Sequence, residues 1–301
     1  MNRRRFLSGL SASLPLLAGL SACSVLERSD KPEQPPVALP QPKPRPKLAL
    51  ALGGGAARGF AHIGVIKALE TSGIKPDIVV GTSAGAIVGS LYASGIDAFA
   101  LQKLAGQLDE SAFTEWALFD RGLLKGESIE RFVNQQVGNR PIEQLKRRFA
   151  AVATDLANGE MMVFGQGNTG LAVRASATVP GVFAPTLIRG REYVDGGLVS
   201  PIPVRAARQL GADVVIAVDI SARPSGKKNE SSIDLMLDTI AIMGRTIGER
   251  ELAEADVVVQ PDLRGLPATN FQQRNEAIRQ GEIAGFAALA RIREKLAAAS
   301  H

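Results

Sequence analysis

Ile78-Val79-Val80-Gly81-Thr82-Ser83-Ala84-Gly85-Ala86-Ile87-Val88 is the stretch on which the reading of this chain turns. Its first three residues are a short apolar run of the kind that forms a buried strand, and the apolar residues after Gly85 continue as a helix packed on a sheet. Between them, Gly81-Thr82-Ser83-Ala84-Gly85 matches G-x-S-x-G. A serine flanked by small residues at a strand-to-helix turn has the layout of a nucleophile elbow. The turn is sharp, so the glycines let two backbones pass closely while Ser83 Oγ is held out at the top of the sheet. The helix beginning beside it offers free N–H groups and the positive end of its dipole, and both favour developing negative charge. The same five residues also suit a turn with no chemistry, so the flanking sequence must decide.

Toward the N-terminus, residues 47–52 (Lys-Leu-Ala-Leu-Ala-Leu) read as a first strand, followed by Gly53-Gly54-Gly55-Ala56-Ala57-Arg58-Gly59. Residues 60–72 then read as a helix with Ile63, Val65, Ile66 and Leu69 on a broad apolar face and Gly73 as its stop. Strand, glycine loop, helix and the strand at 78–80 make one βαβ unit. Three adjacent glycines allow a backbone to approach a ligand and aim N–H groups at an oxygen. A dinucleotide loop fails, because G-x-G-x-x-G would require glycine where the chain has Arg58, and no Gly-Lys-Ser/Thr follows for a P-loop. The alternatives are a tight turn, or an oxyanion hole for a tetrahedral intermediate formed by Ser83, with Arg58 adding positive charge nearby.

Toward the C-terminus, helical segments are predicted over 84–93 and 97–108, and residues 110–124 are dense in large apolar groups that suit either core filling or an acyl-chain pocket. Two hairpins are predicted, one turning at Asn158-Gly159 and one at Arg189-Gly190. The second strand of the latter runs into Asp195-Gly196-Gly197, where an aspartate at a strand end can sit in a crowded site. Strands at 213–220 and 256–260 and helices over 233–255 and 275–299 complete the pattern. Alternating strands and helices predict an α/β domain with a largely parallel central sheet.

Composition narrows the chemistry. The chain has 301 residues, one cysteine and two histidines, His62 and His301. Zinc, which wants about four mostly Cys and His ligands, does not fit, and no metal or other cofactor is expected. The net charge of +5 falls to +2 without residues 1–22, because Lys+Arg drops from 35 to 32 against 30 Asp+Glu. No basic stripe with interleaved aromatics accompanies it, so nucleic acid is set aside as a partner.

Three of the five excess charges, Arg3, Arg4 and Arg5, lie in a segment that reads as a targeting signal. Arg3-Arg4-Arg5 precedes an apolar stretch over 6–20 that is too short for a comfortable membrane span of about 20 residues and fits a secretory h-region. Leu20-Ser21-Ala22-Cys23 resembles a bacterial lipobox, in which cleavage precedes a cysteine that carries lipid, and the chain's single cysteine stands there. The basic start also resembles a twin-arginine export signal. The expectation is a signal peptide over 1–22, a lipidated Cys23 opening a Pro-rich tether over 23–46, and a catalytic domain over 47–301. Ser24 after the cysteine points to the outer membrane of a Gram-negative envelope, facing the periplasm.

A serine hydrolase usually carries a histidine base, and hydrolases of this layout order their triad Ser, acid, His. After Ser83 only the terminal His301 remains, while His62 precedes the serine and reads as structural. What is left is a Ser–Asp pair, with Asp195 taking the proton of Ser83.

Residues 53–65, Gly81-Thr82-Ser83-Ala84-Gly85, residues 175–185 and Asp195-Gly196-Gly197, in that order, resemble the bacterial patatin-like phospholipases. The anchors span roughly 48–208. The resemblance implies a three-layer α/β/α fold and a metal-free Ser–Asp dyad of Ser83 and Asp195. It places the oxyanion loop at Gly53, Gly54 and Gly55 with Arg58 beside it. Many members have a fourth glycine where this chain has Ala56, whose N–H is still available. The expected function is a lipid-anchored serine esterase acting on phospholipid or another acyl ester through an acyl-enzyme, held to the membrane by its N-terminal lipid. A catalytically silent lipid-binding or scaffold protein on the same fold is the alternative. A nucleotide-binding oxidoreductase is disfavoured by the broken glycine fingerprint.

Overall fold

Apolar runs in the sequence become the strands β1 (Leu48–Leu52), β2 (Ile78–Thr82), β3 (Arg148–Asp155), β4 (Met161–Phe164), β5 (Thr186–Ile188), β6 (Arg191–Asp195), β7 (Val214–Val218) and β8 (Val257–Val259). The helices are α1 (Phe60–Thr71), α2 (Ala84–Ser94), α3 (Ala98–Gln107), α4 (Glu127–Gln136), α5 (Thr169–Ser176), α6 (Val204–Gln209), α7 (Ser232–Leu252) and α8 (Arg274–Ala299). This computed structural model describes residues 45–108, 126–221 and 232–300. The expectations for the signal segment, Cys23, most of the Pro-rich tether and the apolar stretch 110–124 fall outside them.

β1, β2 and β7 are buried at every position, the mark of parallel strands covered on both faces. β1 lies between β2 and β7, with β3 beyond β2 and β8 beyond β7, all paired in parallel. The strict alternation of strand side chains sorts β1 into two layers. Leu48, Leu50 and Leu52 join a core shared with α1, α2 and α8, while Ala49 and Ala51 join a second core with α6 and Leu252 of α7. Helices therefore cover both faces of the sheet. Both predicted hairpins form, as β3–β4 and β5–β6. The helices α4, α5 and α6, for which the sequence reading named no element, complete the described fold.

Residues beyond 208 are integral to this domain. β7 is the central neighbour of β1, in register from Leu48↔Val214 to Leu52↔Val218. α8 lies along α1 at very short range, with Gly64 facing the Ile278 carbonyl and Gly281 facing the Ala61 carbonyl, in each case too close to admit a Cβ.

Candidate active site

The registers on β3 explain how two residues 112 apart in sequence meet. Ala151 and Val152 of β3 pair with Gly81 and Thr82 of β2 and also with Phe164 and Val163 of β4. Ala153 and Thr154 pair with Asp195 and Val194 of β6 and also with Met162 and Met161 of β4. A strand has two edges. Because β4 occupies one of them throughout, β2 and β6 share the other. β2 runs parallel to β3 and β6 antiparallel, so they approach end to end, β2 finishing opposite Val152 and β6 opposite Ala153. Ser83 follows the end of β2 and Asp195 is the end of β6.

Ser83 has φ 54° and ψ −120°, a left-handed conformation that a serine adopts only under constraint. The constraint is visible on both sides. A Cβ on Gly81 would run into the Gly85 carbonyl, and one on Gly85 into the Leu52 carbonyl at the end of β1. The Ser83 N–H donates to Ser176 Oγ at 2.9 Å, and the Ser176 hydroxyl in turn donates to the Val152 carbonyl of β3. The Thr82 hydroxyl donates to the Ser200 carbonyl at 2.8 Å. Ser176 lies in the motif stretch 175–185, and its contact with the Ser83 turn follows from α5 ending against β3.

Asp195 is 7% exposed. Burial pushes its carboxyl up to about 6, against the pull of a hydrogen bond from the Ser83 side chain and one from the Gly197 N–H at 2.7 Å. The backbone is held as firmly: the Asp195 N–H donates to the Thr178 carbonyl at 2.8 Å, and its own carbonyl accepts from the Thr154 hydroxyl at 2.8 Å. A carboxyl that titrates near neutrality beside a serine hydroxyl has the character of a general base.

The glycine loop needs a correction. The Gly53 N–H donates to the Val218 carbonyl at 3.1 Å and the Gly54 N–H to the Pro201 carbonyl at 2.9 Å, so these two are committed to the scaffold. The N–H groups of Gly55 and Ala56 donate to no acceptor among the described residues. The free donors of the loop are thus Gly55 and Ala56, directly after the first two glycines. Ala56 sits at φ 49°, which explains why a glycine suits that position and gives this alanine a strain of about 1 kcal/mol. Arg58 borders the same cavity as Ser83 and the loop. Its Nε donates to the Leu266 carbonyl at 2.9 Å and its Nη1 to the Ser221 carbonyl at 2.7 Å, so the guanidinium ties the loop to the C-terminal part of the domain. His62 is fully buried and structural, as the sequence indicated. Its Nε2 lies 2.8 Å from the Gly53 carbonyl, which only a protonated Nε2 can bond. Burial pushes the ring down to about 4 and keeps it neutral.

Ser83, Asp195, Gly55 and Ala56 border one cavity of about 1590 Å³. Ile87 and Leu91 of α2, Leu101 and Leu104 of α3 and Ile129 and Phe132 of α4 give it a long apolar side. Among the described residues, these are the acyl-pocket candidates. Among the described residues no three His, Cys, Asp or Glu side chains gather as metal ligands.

A strained serine at a strand-to-helix turn, a buried carboxyl beside it and free backbone donors at an apolar cavity make this a candidate site for acyl chemistry on an α/β fold. The profile of the patatin-like phospholipase family matches residues 50–208, just over half of the 301, and the chain belongs to that family. An NTE family protein of Mycobacterium tuberculosis is 37% identical over 196 residues, covering 64% of this chain and 54% of its own. Lysophospholipase NTE1 of Coccidioides immitis is 35% identical over 176 residues, covering 56% of this chain and 11% of its own. The chain thus spans about half the length of the mycobacterial relative and a small part of the fungal one. Among solved structures, VipD from Legionella pneumophila superposes with a TM-score of 0.57 at 15% identity, over 82% of this chain and 67% of that one, a likeness of fold.

Proposed function

We propose that this protein is a lipid acyl hydrolase in which Ser83 and Asp195 act as a catalytic dyad. The observation that carries the reading is the end-to-end approach of β2 and β6 on one edge of β3, which sets a strained serine beside a buried carboxyl at the border of an apolar cavity. Family membership and the resemblance to a protein called a lysophospholipase point to the same substrate class. In the proposed sequence, Asp195 takes the proton of Ser83 as Oγ attacks the ester carbonyl. The N–H groups of Gly55 and Ala56 receive the oxyanion. Collapse of the tetrahedral intermediate expels the alcohol, which takes the proton back from Asp195, and leaves the acyl chain on Ser83 along the apolar side of the cavity. Water deprotonated by Asp195 then attacks the acyl-enzyme, and Asp195 gives the proton to Ser83 Oγ as the C–Oγ bond breaks and the acid is released. Cys23 is proposed as the lipidated residue, which would hold the domain to the bacterial envelope, at the periplasmic face of the outer membrane, by a Pro-rich tether.

The test is release of fatty acid from phospholipid and lysophospholipid vesicles, beside a short p-nitrophenyl ester. The parent protein is expected to release acid from both kinds of substrate, and Ser83→Ala to release none. Tight vesicle binding by a folded parent that releases no acid would instead identify a silent lipid-binding protein.

A further inference from the structure

Glu251 on α7 is fully buried. A carboxylate in that position needs partners. Its Oε1 accepts from the Ser200 hydroxyl at 2.6 Å and its Oε2 from the Ile202 N–H at 3.0 Å. Among the described residues, the one ion pair that reaches it is long: Arg205 Nε lies 3.9 Å from Oε1 and shares itself with Glu254 at 3.8 Å. The carboxylate thus grips a three-residue segment at both ends. The outward-facing carbonyls of that same segment hold the active site. Ser200 accepts from the Thr82 hydroxyl at 2.8 Å, immediately before the nucleophile. Pro201 accepts from the Gly54 N–H at 2.9 Å, immediately before the first free donor of the loop. Pro201 and Pro203 stiffen the segment, and Ile202 anchors it in the core.

We propose that Glu251 is a positioning residue for the hydrolytic site, setting through segment 200–202 the placement of both the Ser83 turn and the oxyanion donors. It stands outside the part of the chain that matches the family and is absent from the lining of the Ser83 cavity. The inference rests on the hydrolase reading above. A purely space-filling Glu251 would affect stability alone. A positioning Glu251 affects the chemical step, because misplacing reacting groups by about 1 Å can cost about 10²-fold in rate.

The experiment compares Glu251→Ala, Glu251→Gln and Thr82→Val in the full chain, reading kcat and KM on the p-nitrophenyl ester together with thermal unfolding. Glutamine preserves the geometry, since its amide oxygen can accept from Ile202 and its NH₂ can donate to Ser200 Oγ. Glu251→Ala is expected to lower kcat about 10²-fold with KM nearly unchanged, and Glu251→Gln to restore most of it. Thr82→Val cuts the relay at its catalytic end and is expected to lower kcat in the same way, even if Glu251→Ala does not fold. A folded Glu251→Ala with parental kcat overturns the proposal. So does a Glu251→Gln as slow as the alanine variant, or a Thr82→Val with parental kcat when Glu251→Ala fails to fold. An inactive parent would remove the hydrolase reading itself, whereas an active parent with unaffected variants removes this inference alone.

Discussion

Asp195 and Ser83 are both held in states that the isolated residues would not choose, and function and stability oppose each other at this pair. Burial raises the Asp195 carboxyl from 3.8 to about 6, so between those values the folded protein holds a proton that the unfolded chain has lost. Stability linked to this group is complete below pH about 4 and is lost as the pH rises through about 6. Above pH 6 the ionised carboxylate is ready to act as a base but is costly to bury. Asp195→Asn is therefore expected to unfold with a higher stability than the parent at pH 8, by on the order of 1–3 kcal/mol, while losing turnover. The parent's kcat/KM is expected to rise with pH through about 6, with Asp195 as the base. Denaturant unfolding at two pH values and a pH–rate profile check both statements. An Asn variant less stable than the parent at pH 8 would contradict the burial argument. Ser83, Asp195 and the structural character of His62 were legible in the sequence from residue type, spacing and elimination. The commitment of the Gly53 and Gly54 N–H groups was not, because their acceptors, Val218 and Pro201, lie more than 140 residues away in the chain.

At the scale of elements, the site is made by strand ends and helix contacts. Both hairpins and the parallel core were readable, since Asn158-Gly159, Arg189-Gly190 and the all-apolar strands carry local signals. That β6 continues the edge of β3 that β2 leaves is a tertiary fact with no local signature, and neither is the placing of Ser176 by α5. The other decisive contact is α1 against α8. α1 follows directly from the glycine loop, and its Ala61 carbonyl lies against Gly281 with no room for a side-chain carbon. Gly281→Ala adds a methyl where only backbone surrounds it. It is expected to destabilise the protein by about 1–3 kcal/mol, read as a drop in thermal midpoint. Gly211→Ala, at an open turn with φ 82°, separates backbone strain from steric intrusion because nothing lies within contact range there. An unchanged midpoint for Gly281→Ala would contradict the close packing of α8 on α1.

Over the whole molecule, the motif-bearing part and the remainder form one folded body. The motifs end near residue 208, yet β7 supplies the central neighbour of β1 and Val218 accepts from Gly53. Arg58 reaches the Ser221 and Leu266 carbonyls, and Glu251 grips the segment that faces Thr82 and Gly54. Sequence reading assigned no function to residues 209–301 because their contribution is carried largely by backbone carbonyls and one buried carboxylate, which leave no pattern along the chain. The cavity likewise draws its apolar side from α2, α3 and α4, none of which the sequence links to a pocket.

The central claim, that Ser83 is a nucleophile activated by Asp195, is tested most directly by covalent labelling. A fluorophosphonate probe is reacted with the parent, Ser83→Ala and Asp195→Asn, and the modified peptide is located by mass spectrometry. The account expects a single adduct on Ser83 in the parent, none in Ser83→Ala, and labelling slowed by orders of magnitude in a fully folded Asp195→Asn. An adduct on a different residue, or parental labelling rates in Asp195→Asn, would contradict it.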